Sequence, residues 1–88
     1  DNTLIDFMKM KRACSEAAIR SMIDSGLKID EQRGVKKLFD MYNKYGMENQ
    51  NIFDRFIRKT YGKLDYGMLA KAIIAYRKVK AGNLMPYP

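Results

Sequence analysis

The chain has 88 residues, 47% of them hydrophobic, and its 17 Lys and Arg outnumber 10 Asp and Glu for a net charge of +7. That length fits one domain with one modest core burying about 60–65% of the unfolded surface, and the hydrophobic share excludes a disordered chain. With no histidine and a single cysteine, a disulfide framework, a Cys–His pair and a zinc site are excluded as well.

In chain order the pattern predicts an all-α fold, a compact bundle of four to five short helices. The first covers about 3–12, capped by Asn2 or Thr3, with Leu4, Ile5, Phe7 and Met8 at helical spacing. Ser15 opens a second, whose inner face is Ala18, Ile19, Met22 and Ile23 and whose stop is Ser25-Gly26-Leu27. There Gly26 takes the left-handed position and Leu27 folds back. A polar connector to Arg33 follows, anchored by Ile29, with Asp30 and Glu31 read as cap and solvated charge.

The third predicted helix, about 34–45, carries Val35, Leu38, Phe39 and Tyr42 as an i, i+3, i+4, i+7 stripe. It ends in Gly46-Met47. A fourth begins near Asn49 or Gln50 and runs to Tyr61, with Ile52, Phe53, Phe56 and Ile57 inward and Gly62 as its stop. Asp65 caps a fifth, about 66–80, with Leu69, Ile73 and Tyr76 inward; Gly82 ends it before a tail from Asn83 to Pro88. No sustained two-residue alternation competes with this pattern. The core expectation is Met10, Phe39, Tyr42, Phe56, Ile57, Tyr61, Leu69 and Ile73. Met8, Met22 and Met68 are core filler. Tyr61 and Tyr66 bury their rings with Tyr42, whereas Tyr45, Tyr76 and Tyr87 stay at the surface, and Ile74 and Met41 are exposed candidates for a dimer face.

Little catalytic chemistry is legible. The glycines are scattered at helix ends rather than gathered into a phosphate loop, Cys14 reads as a small side chain packed between helices, and neither a catalytic residue nor a metal or cofactor site emerges. The charge is uneven. Residues 1–50 hold 9 Lys and Arg against 8 Asp and Glu, while residues 51–88 hold 8 against 2. The excess sits on the last two predicted helices, as a solvated surface or as half of a surface for an acidic partner. The residues singled out for partner binding are Arg55, Arg58, Lys59, Lys71, Lys78 and Tyr87. No helix presents Arg, Asn or Gln spaced to read bases, so nucleic acid is disfavoured beyond backbone attraction. Weak binding to acidic phospholipid stays open. The longest apolar run is too short for a membrane span, and no signal peptide is legible.

Three segments together resemble the WY-domain of oomycete RXLR effectors. Phe7-Met8-Lys9-Met10 with Ala13-Cys14-Ser15-Glu16 looks like that family's first motif, with Met10 where the family carries Trp. Leu38-Phe39-Asp40-Met41-Tyr42-Asn43-Lys44-Tyr45 is similar to its Tyr-Asn helix. Tyr61-Gly62 through Leu69-Ala70, then Ile73, Ala75 and Lys78, looks like its Tyr motif and closing helix. A weaker likeness, over Tyr42 to Met47 and from Lys59 onward, is to basic sperm proteins of the lysin type. The first resemblance implies a secreted, non-enzymatic virulence effector that enters the cytoplasm or nucleus of a plant host cell, binds a host protein and suppresses immunity. The lone Cys14 fits such a reducing compartment. The alternative from the residues alone is a basic anion-binding module.

Overall fold

A computed structural model describes residues 3–46 and 51–84 of the chain. Among them are four helices and no strand: α1 (Thr3–Asp24), α2 (Glu31–Tyr45), α3 (Ile52–Tyr61) and α4 (Tyr66–Leu84). The expected all-α bundle is the observed fold. The proposed cap Asn2, the stop residue Met47, the helix starts at Asn49 or Gln50, and Tyr87 lie outside the described residues.

The first two predicted helices are one. Nothing between Met10 and Glu16 breaks a helix, and Arg12 pairs with Glu16 one turn on at 3.5 Å, across the expected joint. Ser15 does not cap. It is buried, with its hydroxyl 3.4 Å from the Tyr42 hydroxyl of α2. The end of α1 is as expected: Leu27 N–H donates to Met22 C=O and Gly26 N–H to Ile23 C=O, both at 3.0 Å, with Gly26 at φ 119°. This pairing satisfies the last carbonyls and turns Leu27 back into the core.

α2 starts three residues earlier than the sequence pattern placed it, because Asp30 is its N-cap. The carboxylate accepts from Gln32 N–H at 3.1 Å and Arg33 N–H at 3.4 Å. Arg20 of α1 reaches over with two nitrogens to Glu31, at 2.6 and 3.4 Å, and this pairing holds the guanidinium pKa above its ordinary value. Gly34 then faces α1 directly, as a side chain there would run into Ile19. At the other joint, Gly62 at φ 93° ends α3 and Asp65 accepts from Met68 N–H at 3.0 Å to start α4. α4 continues through Gly82 to Leu84, since Gly82 keeps helical geometry.

The core joins Ala18, Ile19 and Met22 of α1 to the Val35–Leu38–Tyr42 stripe, to Ile52, Phe53, Phe56 and Ile57 of α3, and to Met68 and Ala72 of α4. Each fully buried large side chain, such as Phe56 or Ile57, contributes about 1.5–3 kcal/mol. Phe39, Tyr61, Leu69 and Ile73 sit half-buried around this centre; Met10, expected in the core, is half-buried and is not part of it. Three expectations change side. Met41 is buried, so it forms no dimer face with Ile74. Tyr66, the first residue of α4, points away from Met68 and Ala72 and is exposed. Tyr76, placed inward by its helical spacing and at the surface by its residue type, is inward: it packs edge-on against Phe53, with ring centroids 5.5 Å apart. Met8 is exposed rather than core filler.

Candidate functional site

The innermost charged group is Lys11. It lies on the face of α1 that also carries Ser15, Ala18 and Met22, and only 6% of it is exposed. Its ammonium stands 4.4 Å from the centroid of the Tyr42 ring and 5.2 Å from that of Tyr76. The negative faces of two rings, one on α2 and one on α4, thus hold a cation brought in by α1. Beside it Cys14 is fully buried, and that desolvation pushes its thiol pKa up, opposed in part by the positive charges of Lys11 and Lys80. The position was readable: 11, 15, 18 and 22 share one helical face. Splitting the chain into two helices at Ser15 hid that shared face.

The surface residues singled out from the sequence fall on two helices. Arg55, Arg58 and Lys59 are exposed on α3, and their spacing puts them on one side of it. Two are already engaged. Arg58 pairs with Asp54 at 2.5 Å, and the Arg55 guanidinium lies over the Tyr45 ring at 4.6 Å, a ring that Lys44 also approaches at 5.4 Å. Lys71 and Lys78 are exposed on α4, two turns apart and on one flank. Tyr87 lies outside the described residues.

Several acidic groups also hold the scaffold: Asp30 and Asp65 are caps, and Glu16, Glu31 and Asp54 are ion-paired. Among the described residues no three His, Cys, Asp or Glu come together to hold a metal ion, and no helix is long and apolar enough to cross a membrane.

Comparison with known proteins gives a different direction from the effector resemblance. The chain is 32% identical over 88 residues to a glyceraldehyde 3-phosphate phosphatase of Methanocaldococcus jannaschii and 31% over 90 residues to that of Methanopyrus kandleri. To the Pyrococcus furiosus phosphatase of the same name it is 27% identical over 88 residues. Each alignment takes in the whole of this chain, which spans 37–39% of the length of these relatives. No protein-family model matches, and no solved structure does.

These relatives overturn the resemblance to the WY-domain of RXLR effectors, and with it the virulence function and the effector, oomycete and plant-immunity terms attached to it. The non-enzymatic reading falls too, since the similar proteins are phosphatases. The segments that carried the resemblance do work any helical bundle needs. Tyr61-Gly62 and Asp65 end one helix and start the next, and Leu38 with Tyr42 fills the core. The host-protein partner and the secreted, host-cell destination were drawn through that resemblance and lose that support.

Proposed function

We propose that this chain is the helical, substrate-facing unit of a phosphatase acting on a small phosphorylated sugar-like molecule of the glyceraldehyde 3-phosphate kind. The observation that carries this reading is the alignment of the whole chain with a segment of phosphatases that bear that activity in their names, at up to 32% identity. In this reading the groups that break the phosphate ester belong to the part of the enzyme beyond the aligned segment. The helical unit shapes and screens the space in which the substrate sits.

Charge supports the assignment. A phosphate ester carries about −1.5 to −2 charges near neutral pH, and a unit with a net charge of +7 raises the local concentration of such an anion and speeds its arrival. Exposed Lys59 and the neighbouring Arg55 contribute to this field at the surface of α3. With a buried core and joints held by the Gly26 and Gly62 turns and the Asp30 and Asp65 caps, the unit also offers a rigid wall, the condition for holding a small substrate in one pose.

The test is a graft. This chain replaces the aligned segment of the Methanocaldococcus jannaschii phosphatase, and phosphate release from glyceraldehyde 3-phosphate is followed beside the parent and a version lacking the segment. The expected result is activity within about tenfold of the parent, against near-complete loss on deletion. A folded graft as inactive as the deletion would rule the reading out.

A further inference from the structure

The outer side of α4 differs from those of α2 and α3. α2 presents Arg33, Lys36, Lys37, Asp40 and Lys44 to solvent, and α3 presents Arg55, Arg58 and Lys59, as solvated helices do. On α4, the arc opposite the buried Met68 and Ala72 carries Tyr66, Ala70, Ile74 and Ala81. Tyr66 is 75% exposed and Ile74 64% exposed, the two most exposed large apolar side chains described. The strip is about 22 Å long at 1.5 Å per residue. By helical spacing Arg77 falls within the strip, between Tyr66 and Ala70 in angle, while Lys71 and Lys78 edge it on one side and Lys80 on the other. Two large apolar side chains left this exposed on one helix side, with alanines between them, mark a contact surface, and α1, α2 and α3 pack only against the opposite side of α4.

We infer that this strip of α4 is the seat for the remainder of a longer phosphatase chain, whose contacting surface is an apolar patch rimmed by carboxylates. The inference rests on the proposed function. The relatives continue for more than half their length beyond the segment this chain matches, and that larger part must rest against the helical unit somewhere. Interfaces between domains of one chain take about 600–1,500 Å², a scale that a strip of this length with its flanking side chains suits. A second copy of this chain is the poorer occupant. A two-fold contact places each strip against itself, and α4 has no Asp or Glu among its residues. Self-pairing would bring Lys71, Arg77 and Lys78 of the two copies together with no acid on either helix to offset them. The remainder of an enzyme chain is free of that constraint and can meet the cations with carboxylates, which fixes its register on the strip.

The experiment has two arms. In the first, the 88-residue chain alone is examined by sedimentation and thermal melting, with Ile74→Glu and Tyr66→Ser as variants. A monomer whose melting temperature is unchanged by either substitution is expected. A dimer dispersed by Ile74→Glu would hand the strip to a second copy, and a lowered melting temperature would make Ile74 an internal packing residue; either overturns the inference. In the second, the same substitutions enter the graft in the Methanocaldococcus jannaschii phosphatase. The inference expects Ile74→Glu to shorten the half-life of activity on heating at least tenfold relative to the unsubstituted graft. An active graft whose half-life Ile74→Glu leaves unchanged overturns the interface while the proposed function stands. An inactive unsubstituted graft overturns the proposed function and the interface with it.

Discussion

Gly34 is where α2 comes closest to α1, and it allows a sharp test of the packing. A Cβ built there lies 2.8 Å from Ile19 Cγ2, 3.4 Å from Ile19 Cδ1 and 3.6 Å from Ile29 Cγ2. The first distance is well inside van der Waals contact, and the atom is a branch methyl on the stiff first torsion of a fully buried side chain, so it has little room to withdraw. The Asp30 cap pins the start of α2 four residues earlier and keeps the helix from sliding away. Two effects therefore compete in Gly34→Ala. Replacing a helical glycine with alanine gains up to about 1 kcal/mol, while forcing a methyl into a filled contact costs about 1–3 kcal/mol. The expected net is a loss of about 1 kcal/mol, a fall in melting temperature of about 4–8 °C for a domain of this size. In an Ile19→Ala background the obstructing methyl is gone, and the same substitution should stabilise by about 1 kcal/mol, a coupling of about 2 kcal/mol between the two positions. Urea titration of the four proteins measures it. Equal effects of Gly34→Ala in both backgrounds would refute the close approach of the two helices.

Three further outcomes follow from the same structure. Lys11→Met should leave stability within about 1 kcal/mol, since it trades ring attraction for relief of desolvation. Lys11→Glu, which sets a carboxylate against the negative faces of Tyr42 and Tyr76, should cost about 3 kcal/mol or more in chemical denaturation; similar behaviour of the two variants would contradict the cation–ring account. Asp65→Ala removes the side-chain acceptor for Met68 N–H and should cost about 1 kcal/mol, visible as faster amide exchange in the first turn of α4. Because burial raises the Cys14 pKa in the folded state, the folded chain keeps this proton where the unfolded chain has released it. Stability should therefore fall as pH rises above about 8.5, the unfolded value, and denaturation of Cys14→Ala across that range should lack this component.

The parts of the fold that could be read from the sequence are those whose cause is local. Gly26-Leu27, Gly62 and Asp65 mark helix ends because the geometry of a cap involves only a few neighbouring residues. The Val35–Leu38–Tyr42 stripe marks a buried face because its period is that of the helix. Ser15 was misread because the same hydroxyl serves as a cap or as a core partner, and only Tyr42, 27 residues away, decides between them. The contact of Gly34 with Ile19 and the placing of Lys11 between rings from two other helices are likewise properties of the assembled bundle. The basic residues were legible as a charge excess, but the engagement of Arg58 by Asp54 and of Arg55 by Tyr45 changes which of them are available. Function was not legible because the segments that pointed to an effector encode helix ends and core positions. Many unrelated bundles share those requirements.

Under the proposed function, these helices govern how a phosphorylated substrate is held, while the ester is broken by groups beyond them. The most direct measurement is the ratio of kcat/KM for glyceraldehyde 3-phosphate to that for p-nitrophenyl phosphate, taken in the Methanocaldococcus jannaschii enzyme, in its graft with this chain, and in the version lacking the segment. The graft should keep the parent's preference within about tenfold, while the deletion should lose it chiefly through a raised KM for glyceraldehyde 3-phosphate. A deletion with the parent's preference and an unchanged KM would contradict the proposed function.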